Sequence, residues 1–187
     1  MKNFILLSVI FLGLCKSSVA QNFDVLWTDL IGVDTTGNKL ERITPTTGIY
    51  TYDAGAKSLN QLPAGENGFI TFKAINTSGN SFFGFTSDNT GIMSYQNIDY
   101  AFFFFSSGNS IELRIYESGN IVGVFGSYTT TDNFKIERIG NTVSYFKNGN
   151  ILHLSNTTSS TDLYLQGSIS VQNEGCKNIQ ASFDTNG

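Results

Sequence analysis

The dipeptide Gly-Asn recurs six times, at 37–38, 79–80, 108–109, 119–120, 140–141 and 149–150, and this punctuation constrains the fold more than any other feature. Both residue types tolerate positive φ, which tight two-residue hairpin turns demand. Between the marks lie short runs rich in Phe, Ile, Val, Tyr and Thr: "GFITFKAI" (68–75), "SFFGFT" (81–86), "YAFFFF" (100–105), "IELRIYE" (111–117), "IVGVFGSY" (121–128), "FKIERI" (134–139), "TVSYF" (142–146) and "ILHLS" (151–155). In "IELRIYE", Ile111, Leu113 and Ile115 share one phase, with Glu112, Arg114 and Tyr116 on the other, the period-two pattern of a half-buried strand. "RIGNTVSYFKNGNILHLS" (138–155) reads as a three-strand meander with turns at Gly140-Asn141 and Asn148-Gly149, so its glycines serve the backbone.

No window carries a helical stripe of ten or more residues; "DAGAKSLNQLPAGENG" (53–68) comes nearest and is broken by Pro63 and its glycines. Closely spaced strands with turn signals predict an all-β antiparallel sandwich or barrel. The absence of any longer sequence repeat argues against a propeller or solenoid.

Residues 1–20 read as a leader rather than as part of the fold. Lys2 precedes the apolar run "FILLSVIFLGL" (4–14), which is short for a membrane span, and Ser18 and Ala20 supply the small residues of a cleavage site before Gln21. The rival, a lipid anchor on Cys15, is disfavoured by bulky Leu14. Residues 21–187 are then expected to form one domain, with "SFDTNG" (182–187) as a frayed tail and "SNTTSSTD" (155–162) as a mobile polar loop. With Cys15 in the leader, Cys176 is the sole remaining cysteine, so no internal disulfide can form and the thiol is expected to be buried.

Charge narrows the partners. Eleven Lys+Arg stand against 15 Asp+Glu, and Lys2 and Lys16 belong to the leader, so the folded part is more acidic than the whole chain's net −4. No basic run exists to follow a phosphate backbone, which argues against nucleic acid, and no second apolar segment could span a membrane.

Four segments resemble, in order, the concanavalin A-like (SPRY/laminin-G-like) jelly-roll modules of secreted and surface proteins of Bacteroidetes-type bacteria. They are "WTDLIGVDTTGNKL" (27–40), "YDAGAKSLNQLPAGENGFITF" (52–72), "IDYAFFFFSSGNSIELRIYESGNIVGVFGSY" (98–128) and "DNFKIERIGNTVSYFKNGNILH" (132–153). The resemblance covers roughly residues 25 to 172. Such modules often carry Trp-Asn where this chain has Tyr52-Asp53. The resemblance implies a jelly-roll sandwich, a fold that hosts lectins, glycanases and interaction domains alike.

Catalytic outfits are thin. A glycanase needs two carboxylates facing one another across a site, and no glutamate here has an aspartate two residues on; Glu112 and Glu117 lie on opposite phases of one strand, and Glu137 stands alone. The one histidine, His153, sits in a strand without a Gly-x-Ser-x-Gly elbow, and one His and one Cys make no zinc site. The expectation is a protein that is not an enzyme and needs no cofactor. "DTTGN" (34–38) and "SDNTG" (87–91), with Asp99 nearby, could offer oxygens to calcium, but short turns closed by their own side chains explain them more simply.

Aromatic side chains are the best functional lead. Trp27, Tyr50, Tyr52, Tyr95, Tyr100 and Tyr128 offer flat faces with polar tips, and Asp53, Asn97, Asp99 and Arg114 could add hydrogen bonds. Tyr50, Tyr52 and Tyr95 fall in expected loops, so the candidate ligand-binding set is Tyr50, Tyr52, Asp53, Tyr95, Asn97 and Asp99. "AFFFF" must send Phe102 and Phe104 to one face and Phe103 and Phe105 to the other, which fits a strand packed on both faces or one that leaves an aromatic patch exposed. Three readings stay open, in this order: a secreted module that binds a glycan or surface polymer, an extracellular protein–protein contact module using that patch, and a glycanase with an unfamiliar pair of carboxylates.

Overall fold

The computed structural model describes residues 21–48, 50–91 and 93–185; the leader expected at 1–20 lies outside them. In chain order the strands are β1 (Phe23–Asp24), β2 (Trp27–Ile31), β3 (Val33–Asp34), β4 (Lys39–Arg42) and β5 (Ala54–Leu62). Next come β6 (Gly68–Ala74), β7 (Ser81–Thr86), β8 (Tyr100–Ser107), β9 (Ser110–Glu117) and β10 (Asn120–Val124). The last are β11 (Phe134–Ile139), β12 (Thr142–Lys147), β13 (Asn150–Leu154), β14 (Leu163–Ile169) and β15 (Gly175–Ala181). One sheet has the order β13-β12-β11-β6-β15-β4-β3, with β1 beside β15, and the second has the order β10-β9-β8-β7-β14-β5-β2. The strand pairings are antiparallel, and the two sheets form a sandwich.

The turn marks do what the sequence asks of them. Five of the six close hairpins, β3–β4, β8–β9, β9–β10, β11–β12 and β12–β13, and Gly79-Asn80 lies in the link that crosses from one sheet to the other between β6 and β7. At the β12–β13 turn Asn148 and Gly149 have φ of 52° and 80°, the pair of positive angles a type I′ turn requires.

The core lies between the sheets. β6 alternates cleanly, with Ile70 and Phe72 inward and Phe69 and Lys73 partly exposed. Across the gap Phe72 meets Phe83 with ring centroids 4.6 Å apart, and Phe104 meets Phe134 at 4.9 Å. Tyr100 and Tyr128, offered by the sequence as contact aromatics, are 3% and 2% exposed and belong to this core. Trp27 is half-buried and packs edge-on against Phe83, 6.1 Å away. Cys176 is buried.

The segment that came nearest to a helix holds the longest strand, β5. β5 lies inside its sheet between β14 and β2 and is buried along most of its length, so it lacks the alternation that marks a half-exposed strand.

Two guanidinium groups are buried among oxygen acceptors. Arg42 donates to Asp53, Ile169 O, Thr44 O and Pro45 O. Arg138 donates to Glu66 O, Thr161 O, Ser159 Oγ, Leu62 O and Pro63 O. Arg138 thereby pins the 155–162 segment, where Ser159 is 3% exposed and donates its N–H to Asn141 O; the expected mobile loop is tied down. The start of the expected frayed tail is likewise packed, at Ser182 and Phe183. Phe183 is buried against Phe85, and Ser182 donates its N–H to Phe69 O.

Glu174 is 1% exposed and accepts a hydrogen bond from Ser78 Oγ at 3.0 Å. Burial raises its carboxyl to about 7, and the Ser78 hydrogen bonds only partly offset that. Between about pH 4.5 and 7 the folded protein holds a proton that the unfolded chain has lost, so stability falls as pH rises through this window and levels off above it. Glu174→Gln should flatten that fall, which urea midpoints at pH 5 and pH 8 will check. Arg138→Ala should cost about 3 kcal/mol in the same unfolding assay, because it strands buried carbonyls without donors.

Candidate functional site

β8 pairs with β7 on one side and β9 on the other, with Phe103 opposite both Phe82 and Arg114, and Ala101 opposite both Gly84 and Tyr116. Residues directly opposite one another share a face. The outward phase of β8 therefore meets Phe82, Arg114 and Tyr116 on the outer face of the second sheet. Phe82, Ile98, Ala101 and Phe103 form a buried cluster there, separate from the main core, with Tyr52, Tyr95, Phe105 and Tyr116 packed against it.

Two loops wall this cluster. The loop from β4 to β5 brings Tyr50 and Tyr52. The loop from β7 to β8 crosses the outer face of the sheet and brings Tyr95 in a single 3-10 turn (Tyr95–Asn97). Lys57 donates to Asn89 Oδ1 and Gln166 Nε2 donates to Ser94 O, so this second loop is sewn to β5 and β14. Ser94 caps the 3-10 turn by accepting the Gln96 N–H.

The result is a recess of about 260 Å³ lined by Tyr50, Tyr52, Phe82, Tyr95, Phe103, Phe105, Arg114 and Tyr116. Phe82 stacks on Phe103 at 4.1 Å and on Tyr95 at 4.7 Å; Tyr52 lies 5.1 Å from both Phe82 and Tyr95. Tyr116 stands edge-on to Phe82 and Phe103. Among the described residues, the hydroxyls of Tyr50, Tyr52, Tyr95 and Tyr116 make no hydrogen bond, although burial pushes the Tyr52 phenol well above its ordinary pKa. The Arg114 guanidinium lies over Phe105, 3.7 Å from the ring centre, and is held by Glu112 through Nε at 2.8 Å and Nη2 at 2.6 Å.

The sequence-selected tyrosines Tyr50, Tyr52 and Tyr95 are thus brought together. Their intended polar partners are not. Asp53 turns away to buried Arg42 and accepts from Thr47 Oγ1 at 2.8 Å. Burial raises its carboxyl, but the bonds from Arg42 and Thr47 outweigh that and hold it below the usual range. Asn97 donates to Asp88, and Asp99 accepts the Ser87 N–H. Each of these side chains builds a loop rather than facing the recess. Phe82 and Tyr116 stand outside the contact set expected from sequence, which leaves Phe103 and Phe105 either on a second packed face or in an exposed patch. Phe103 is in fact 3% exposed beneath the tyrosines. The strand alternation held the signal for all four, but the pairing register was needed to join them.

The two calcium-candidate loops are Asx turns: Asp34 accepts the Thr36 N–H at 3.0 Å and pairs with Lys39, and Asp88 accepts the Thr90 N–H at 2.8 Å. Among the described residues no three His, Cys, Asp or Glu gather in a metal-binding group, and no helix is long and apolar enough to cross a membrane. His153 sits on β13, 3.9 Å from Glu117 and beside the Tyr145 ring.

No protein-family model matches the sequence, and neither does any curated protein. Solved structures do resemble the fold. The SPRY domain of human HERC1 superposes with a TM-score of 0.55 at 13% identity, over 87% of this chain and 92% of that one. The exoplasmic/lumenal domain of VIP36, in its Ca2+/Man3GlcNAc-bound form, gives 0.55 at 6% identity, over 84% and 83%. The metal-free carbohydrate recognition domain of Emp46p gives 0.54 at 8% identity, over 85% and 88%. The chain therefore has the concanavalin A-like jelly-roll fold that its sequence segments imply.

Asp88 holds the loop that carries Tyr95. Asp88→Ala should cost about 1–2 kcal/mol by freeing Thr90 and Asn97, and hydrogen exchange across 88–98 should speed up while the core strands stay protected.

Proposed function

We propose that the protein is a secreted, non-catalytic module of a bacterial surface that binds a glycan or surface polymer in adhesion or substrate capture. One observation carries this reading: the recess on the second sheet, where stacked aromatic rings present four hydroxyls without partners among the described residues, beside one guanidinium held by Glu112. Flat rings with polar tips suit the mixed apolar and hydroxylated faces of a sugar. Emp46p's matched domain is a carbohydrate recognition domain and VIP36's holds Man3GlcNAc, so the fold carries glycan sites in other proteins; here the site rests on its own residues.

The non-catalytic part rests on the carboxylates. None lines the recess among the described residues, and Glu112, the nearest in register, is bound by Arg114 and Ser110. The paired carboxylates that serve as acid and nucleophile in most glycosidases have no candidates in that lining. The protein-contact reading loses its bare phenylalanine patch, since Phe103 is covered.

A glycan array with the purified protein, run with calcium and again with chelator, tests the proposal. Binding to a defined saccharide class is expected, with at least a tenfold loss, about 1.4 kcal/mol, in both Tyr95→Ala and Tyr116→Ala while both variants still unfold cooperatively. Undiminished binding in the two variants would remove the recess as the site.

A further inference from the structure

The hydrogen-bond inventory of the recess is lopsided. Among the described residues its side chains include no Asp, Glu, Asn or Gln; the polar groups are tyrosine hydroxyls, which both donate and accept, and one guanidinium. The tyrosine hydroxyls can serve the hydroxyls of any sugar, but a guanidinium only donates, and its best match is a carboxylate or sulfate, which only accepts. Among the described residues Arg114 is the one cation in the lining. Glu112 Oε2 takes its Nε and Nη2, and Ser110 Oγ donates to Glu112 Oε1, so the carboxylate is occupied on both oxygens. Nη1 has no acceptor among the described residues, and the guanidinium carbon sits over the Phe105 ring, 3.7 Å from its centre. Hydrogen bonds from Arg114 hold the Glu112 carboxyl below its usual range, so the clamp that aims Arg114 persists into mildly acidic conditions.

We infer that the recess selects an anionic sugar, one bearing a ring carboxylate or sulfate, and that Nη1 of Arg114 is the donor that reads the charge. This rests on the glycan-binding reading above and narrows its ligand class. The whole chain carries net −4, so selection would come from the placed guanidinium and not from bulk attraction.

Isothermal titration of the full protein with oligogalacturonate, its methyl ester, a sulfated galactan oligosaccharide free of uronic acid, the desulfated form of that oligosaccharide and a neutral galacto-oligosaccharide tests it. At least one of the first and third should bind, at least tenfold more tightly than its uncharged or desulfated counterpart; which one binds separates carboxylate from sulfate. Arg114→Gln should erase that difference, and Arg114→Lys, a point charge without the fork, should restore only part of it. Equal affinity for the charged and masked forms in the unaltered protein, with binding still lost in Tyr95→Ala, would overturn the anionic inference and leave the glycan site standing. Silence toward all five saccharides and across the array would overturn both.

Discussion

Four consecutive phenylalanines on one strand are the constraint around which the rest is arranged. A strand turns alternate side chains to opposite faces, so β8 delivers Phe102 and Phe104 to the main core and Phe103 and Phe105 to the far side of its sheet. Apolar surface of that size left in water would be costly, at roughly 25 cal/mol per Å². The core face is covered by the opposing sheet through Phe72 and Phe134. The outer face has no opposing sheet. Phe82 and Tyr116 from the flanking strands and the Tyr52 and Tyr95 loops cover it, incompletely, and the incompleteness is the recess.

The polar side chains near this cover mostly serve its scaffolding. The loop carrying Tyr95 is sewn down by Asp88, Asn97 and Thr86, and Lys57 and Gln166 bond it to the strands beneath. The loop carrying Tyr52 is anchored where Asp53 meets buried Arg42, a charge that needs a partner at hand. Arg138 plays a similar part elsewhere, gathering carbonyls from 62–66 and 161. Arg114 differs: it is held by one carboxylate and one ring, with part of its donor set still open.

Much of this was legible in particular residues. Alternation in "IELRIYE" and "AFFFF" set the two faces of β8 and β9, and loop composition singled out Tyr50, Tyr52 and Tyr95. Asp53, Asn97 and Asp99 looked equally apt because a polar side chain in a loop has two uses, binding a ligand or holding its own backbone, and sequence does not distinguish them. β14 and β15 escaped notice for a different reason. β14 is buried almost throughout, and β15 carries a register shift between Lys177 and Gln180 with Asn178 at φ 53°, so neither shows a clean period of two.

The sequence by itself determined the class of fold, because turn residues with positive φ and period-two runs are local properties that only antiparallel sheets satisfy together. It also determined which aromatic residues were available on each phase. Tertiary structure decided which of them meet, since the register between β7, β8 and β9 and the path of two loops across the sheet are set by contacts between residues far apart in the chain. It decided as well that Arg42 and Arg138 lie buried, because only the assembled sandwich brings enough carbonyl oxygens to one point to replace water around a guanidinium.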